Sequence, residues 1–239
     1  FHFIGQTIAR NNRYQIYLAM YGGTGLALAI ACAVSFPVHS GTIHPAFSNK
    51  GLHAVMPLLL FWVIAGLRTA FAFPLNLSAR WVFRITGVNL GECTAAAHRW
   101  VLLCAAGVTA CIVAALHFAG WDTRQLLVQT VCGLCLCLLL TDGFFFFLQS
   151  VPFNQPRMPG RTSLPLMLTL YIGVLPPCIF GVIYAELRME RNLGELLLLA
   201  IVTIAIHVVL QSRRKGYEEI EEEMEGYDGE FQLLGLSWR

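Results

Sequence analysis

Six apolar stretches of about twenty residues occupy most of this sequence, and no other feature restricts its fold as strongly. They run from about Tyr14 to Phe36, Leu52 to Phe73, Trp100 to Trp121, Leu126 to Leu148, Leu164 to Ala185 and Leu193 to Leu210. A helix rising 1.5 Å per residue needs roughly 20 residues to cross about 30 Å of hydrocarbon. The bilayer core offers no water to backbone polar groups, so a spanning segment must satisfy them internally, and each stretch reads as a helix. The expected fold is all-α: a six-helix transmembrane bundle with short amphipathic interfacial helices and an acidic C-terminal tail. Its divisions are an inner-surface helix over residues 1–13, the transmembrane domain over 14–215 and the tail over 216–239. Composition agrees, with 56% hydrophobic residues, 13% charged residues and a mean hydropathy of +0.63, outside the usual soluble mix.

The net charge of +2 conceals an asymmetry, because eight of the fourteen acidic residues lie between Glu218 and Glu230. The rest is basic, and its arginines orient it. Arg10 and Arg13 precede the first span; Arg80, Arg84 and Arg99 follow the second; Arg157 and Arg161 follow the fourth; Arg213, Arg214 and Lys215 end the sixth. The opposite loops hold Lys50, Arg124, Arg188 and Arg191, partly cancelled by Asp122, Glu186, Glu190 and Glu195. This bias places both termini in the cytoplasm. The first span is too long for a secretory signal and lacks a small-residue cleavage site. The chain opens on Phe1, as a piece of a longer protein or one with an unread start would.

Cys132, Cys135 and Cys137 form a C-x-x-C-x-C run among leucines, where buried thiols act as small hydrophobes, and no metal or disulfide is expected. Haem would need histidines facing each other from two helices. His98 and His117 flank the third span, and His207 alone lies deep, so no cofactor is expected; His207 reads as bonded to a neighbouring helix or a polar cavity.

Two charges inside the spans are more informative. Arg68 and Asp142 each fall about sixteen residues into their spans counted from the outside, or roughly 24 Å deep. An ionisable group in hydrocarbon costs about 2.5–3.5 kcal/mol at the centre, so each wants a partner, and matched depth suggests an Arg68–Asp142 pair. The alternative is that both snorkel to the interface beside Phe144 to Phe147. In the fifth span, Pro176 and Pro177 each lack a donor and crowd the carbonyl four residues earlier, so a break into two half-helices is expected there. A static kink is the plainer alternative. Gly25, Ala29 and Ala33 in the first span, and Ala106, Ala110 and Ala114 in the third, read as small faces for close helix packing.

On the inner side, Phe1, Ile4 and Ile8 share a face with arginines following, which suits a helix lying on the membrane. Between Ser78 and Arg99, residues Trp81, Ile85 and Val88 share another face beside Arg80 and Arg84, making Arg80, Trp81 and Arg84 candidates for partner docking. Asn89 with Glu92 resembles a capping box opening the third span. Pro152, Pro156, Pro159 and Pro165 stiffen a loop whose Arg157 and Arg161 suit lipid phosphates. The acidic run followed by Phe231, Leu233, Leu234 and Leu236 buries too little apolar surface alone and is expected to order only on binding. There is no phosphate-binding loop, dinucleotide fingerprint, H-E-x-x-H or G-x-S-x-G. No catalytic constellation is legible, so an enzyme is not expected, and an acidic soluble tail disfavours nucleic acid.

The order of parts resembles the permease half of ATP-binding-cassette type-two exporters: an elbow helix on the inner surface, two spans, a cytoplasmic helix and four further spans. In that family the elbow and the inner helix contact the ATPase; the matching segments here are Phe1–Arg13 and Ser78–Arg99. The resemblance implies a permease-like subunit served by a separate cytoplasmic ATPase. The likeness is of architecture along the whole chain, and the outer connection from Glu186 to Glu195 is too short for the paired re-entrant helices usual there. Ala79–Arg84 and Met158–Arg161 are also similar to uncharacterised bacterial inner-membrane proteins, implying that location. A competing expectation is a non-transporting scaffold or accessory subunit that recruits a protein through its tail.

Overall fold

A computed structural model describes residues 2–35, 38–39, 42–43, 46–72, 90–145 and 164–233. These form seven helices: α1 (His2–Arg10), α2 (Asn12–Ala33), α3 (Asn49–Ala72), α4 (Leu90–Phe118), α5 (Thr123–Phe145), α6 (Leu164–Met189) and α7 (Leu193–Leu233). Four two-residue strands between α2 and α3 make two small antiparallel ladders, Val34–Ser35 on Ala46–Phe47 and Val38–His39 on Thr42–Ile43. Each of α2 to α7 contains a stretch long and apolar enough to span a membrane. We call the end where α2 begins and the apolar part of α7 ends the terminal face.

The helix ends follow local chemistry. Asn11 separates α1 from α2: its backbone is extended and its side chain accepts from the Arg13 amide at 3.1 Å, capping α2. Gln15 Nε2 donates to the Ala9 carbonyl at 2.6 Å, satisfying an orphan acceptor at the end of α1. Gly120, at φ 84°, closes α4; its amide bonds the His117 carbonyl and that of Trp121 bonds Leu116, a Schellman arrangement that turns the chain directly into α5.

The bundle is built around α3 and α5, whose apolar stretches are 67% and 56% buried, against 11% for α6 and α7. Phe61, Phe144 and Tyr171 pack edge-on at centroid separations of 5.4 to 5.9 Å, joining α3, α5 and α6. Phe71 does the same for α3, α4 and α5 through Trp100 and Phe145. Phe144 and Phe145 are thus core residues rather than interfacial ones. Where α2 crosses α3, a β-carbon on Gly25 would lie 2.8 Å from Trp62 Cβ, and one on Gly66 would lie 2.8 Å from Tyr21 Cβ. Each glycine receives the other helix's aromatic ring.

The small face Gly25–Ala29–Ala33 is buried as expected. The one read on α4 is not: Ala110 and Ala114 are exposed, and Ala97, Val101, Ala105, Ile112 and Leu116 form the packed stripe. Small residues permit close approach, but they do not choose between two faces that both lack bulk.

Two further expectations need correction. First, α6 passes through Pro176 and Pro177 without interruption, so there are no half-helices. Each proline removes only its own donor and the rest of the ladder holds the segment, with both prolines on the exposed side of α6. Second, the acidic run, expected to order only on binding, continues α7 as helix through Leu233. It is made largely of glutamates, which favour helix once a preceding helix has supplied the nucleus. Arg80, Trp81 and Arg84, and the proline-rich loop with Arg157 and Arg161, lie outside the described residues.

Candidate functional site: two buried carboxylate–histidine clusters

Asp142 is the last polar residue of α5 before the terminal face, and its side chain is 5% exposed. Its partners are two imidazoles. His98, in the third turn of α4, approaches Oδ1 through Nε2 at 2.9 Å, and His207, on α7, approaches Oδ2 through Nδ1 at 2.7 Å. The two rings stack, with centroids 5.9 Å apart and planes at 24°. A carboxylate only accepts, so the two facing nitrogens carry hydrogens. Gln211, one turn beyond His207, has its Nε2 at 3.2 Å from the remaining nitrogen of that ring, which suits a neutral imidazole accepting there. One carboxylate therefore fixes the orientation of α4 and α7 against α5.

Arg68 and Asp142 accordingly do not form the pair expected from their depth. Arg68 Nη1 donates to the Tyr171 hydroxyl at 3.4 Å, and its guanidinium stands 5.7 Å from the centroid of the Phe144 ring. The cation is held on aromatic groups, a lower-cost arrangement for weakly hydrated arginine. Depth alone does not choose between partners: His207 lies about fourteen residues into its own span, or roughly 21 Å deep, and matches Asp142 as well as Arg68 does. His98 precedes the apolar stretch in sequence, and only the early start of α4 at Leu90 brings it into the bundle.

A second cluster occupies the opposite end. Glu186, near the end of α6, is fully buried. Its Oε2 lies 2.9 Å from Nδ1 of His53 on α3. With its amide nitrogen turned to the carboxylate, Gln129 of α5 donates to Oε2 at 3.0 Å and to Oε1 at 3.3 Å. Glu190 Oε1 is 3.8 Å from His53 Nε2, and the Trp121 ring leans on His53 with centroids 4.9 Å apart. In the sequence Glu186 and Glu190 read as loop charges; the signal was again depth, since both fall near the same end of the bundle as His53.

Gln129 and Asp142 sit on one helix thirteen residues apart, about 20 Å along α5. Between them Cys132 meets Met189 (Sγ to Sδ 3.8 Å), Cys135 hydrogen bonds Thr203 and Cys137 lies 3.3 Å from the Thr109 hydroxyl. The Thr141 hydroxyl is buried with no hydrogen-bond partner. Among the described residues, no two cysteines are joined in a disulfide. No three His, Cys, Asp or Glu side chains there are placed to share a metal ion. The stacked rings of His98 and His207 leave no gap for a porphyrin, and both already bond the same carboxylate.

Six apolar helices around buried ionisable clusters define an integral, multi-pass helical membrane protein in contact with the lipid bilayer. No protein-family model matches the chain, and no curated protein or solved structure matches it either.

Proposed function

We propose that the chain is a permease-like transport subunit of a bacterial inner membrane, with both termini cytoplasmic and a separate cytoplasmic ATPase as partner. The observation that carries transport is the Asp142–His98–His207 cluster inside the spanning bundle. A charge retained at that depth is costly, and such groups mark the paths of ions and substrates. The elbow supports the partner: α1 buries Ile4, Thr7 and Ile8 against the bundle and leaves His2, Gln6 and Arg10 exposed along its other side. That polar side, with the segment carrying Arg80, Trp81 and Arg84, is the proposed docking surface. The bound solute is hydrophobic or amphipathic, in keeping with the apolar helix faces. No catalytic role is assigned to any residue.

The test is reconstitution with the products of neighbouring genes. Recruitment of an ATPase and stimulation of its ATP hydrolysis support the reading; neither occurring would remove it. A scaffold role is the second reading, favoured by one observation: α7 continues for 20 residues past Arg213, about 30 Å of helix that carries the acidic run.

A further inference from the structure

We propose that Arg68 and Tyr171 form an oxyanion site near the terminal face that takes a phosphate group. The inference concerns a different cluster from that of Asp142 and is independent of transport and of any ATPase.

Arg68 carries a charge that the bundle does not balance. Arginine stays cationic in proteins and presents its N–H donors in a planar fork. Among the described residues, no ion pair includes Arg68. Asp142 stands two residues before Phe144 on α5, about 200° around the helix, and so on the side away from the ring that Arg68 meets. Both of its oxygens are already taken by His98 and His207. The Phe144 ring lowers the cost of the cation without cancelling its charge.

The hydrogen-bonding capacity left over at this place is all of one kind. The bond from Arg68 Nη1 to the Tyr171 hydroxyl measures 3.4 Å, longer than the usual range of about 2.7–3.2 Å, and it engages a single donor of the fork. The hydroxyl accepts there, so its own hydrogen is a further donor. Convergent donors without an acceptor suit an oxyanion, and a guanidinium fork matches two oxygens of a phosphate. Tyr171 is buried and held edge-on by Phe61 and Phe144, so its hydroxyl is positioned without a ligand. Arg68 is half-buried and open to one.

Position and field select phosphate. Arg68 lies four residues before the end of α3 at Ala72, about 6 Å along the axis, and so near the headgroup level of a chain that spans a bilayer. Arg10 and Arg13 are exposed at the same face. The segments following α3 and α5, residues 73–91 and 146–163, add Arg80, Arg84, Arg157 and Arg161 and contain no acidic residue. Clustered positive charge raises the local concentration of anions. Phospholipids bring phosphate to this level in either leaflet, so the inference does not depend on orientation. A lipid headgroup and a free phosphate ion offer the same oxygens.

The experiment is solid-state NMR of the full chain, labelled with 13C-arginine, in galactolipid bilayers that contain no phosphorus. It reads dephasing of each guanidinium carbon by 31P; the Arg68 signal is the one lost in Arg68→Lys. One arm titrates phosphatidylglycerol into the bilayer, and the other titrates inorganic phosphate into the buffer. Dephasing at Arg68 is expected to saturate with phosphatidylglycerol, ahead of the exposed arginines, which identifies a headgroup as the source. Saturation with inorganic phosphate alone supports the site and identifies the free ion. Tyr171→Phe keeps the ring and removes the donor, and should raise the half-saturating concentration on the order of tenfold. Absence of dephasing in both arms overturns the proposal, as does dephasing at Arg68 no stronger than at the exposed arginines. A titration unmoved by Tyr171→Phe, in a variant that keeps its wild-type helical spectrum, overturns it as well.

Discussion

Leucine at position 142 approximates the shape of aspartate and removes both charge-assisted hydrogen bonds, at 2.9 and 2.7 Å. Two imidazole donors are then left in the bundle, each costing about 1–3 kcal/mol if it finds no other acceptor, and relief of carboxylate burial offsets part of that loss. The single-variant effect is therefore ambiguous, and the informative quantity is the coupling in a double-mutant cycle with His98→Leu. A hydrogen bond to a charged group contributes about 1.5–3 kcal/mol net in proteins generally. Interhelical bonds within a membrane average about 0.6 and reach about 1.7 kcal/mol. With Asp142 nearly sealed from solvent and bonded by both rings, the coupling should fall at the upper end of the membrane range, about 1.5 kcal/mol. The same cycle with Arg68→Leu in place of His98→Leu should give less than about 0.5 kcal/mol, because Arg68 is bonded to Tyr171 and stands over Phe144. The assay is reversible unfolding in bicelles, by denaturing detergent or by steric trapping. Additivity between Asp142 and His98, or a larger coupling to Arg68 than to His98, would refute the assignment of partners.

Gly51→Ala should abolish most folded protein, since the new β-carbon would overlap the Cys32 carbonyl oxygen, while Gly107→Ala, with nothing within 4 Å, should be neutral or gain about 0.5–1 kcal/mol; folded yield and unfolding midpoint in bicelles decide both. His53→Ala removes a direct partner from the fully buried Glu186 and should cost about 3–5 kcal/mol, and adding Glu186→Gln should recover much of that loss; equal stability of the single and double variants would mean that the pair carries no charge. The proposed orientation predicts that, with native cysteines replaced, a cysteine at Ser48 is labelled from outside intact cells and one at Gln155 is not; labelling at 155 would reverse it.

The existence of the spans was legible in the sequence because a bilayer leaves a backbone few choices, while the early start of α4 at Leu90 was not. Length and apolarity alone place α2 to α7, and Gly25, Ala29 and Ala33 could be assigned to packing from their spacing. Depth was legible too, since 1.5 Å per residue ranks Arg68, Asp142 and His207 along the membrane normal. Azimuth was not. Which residues at a common depth face one another depends on how each helix is rotated and which helices are neighbours. Both are set by packing, such as Trp62 seated on Gly25 and Tyr21 on Gly66. Only the tertiary structure could therefore give Asp142 to His98 and His207, leave Arg68 to Tyr171 and Phe144, and draw Glu186 inward to His53. The physical reason is that spanning is a property of one helix against lipid, while a buried pair belongs to at least two helices whose rotation no single segment encodes.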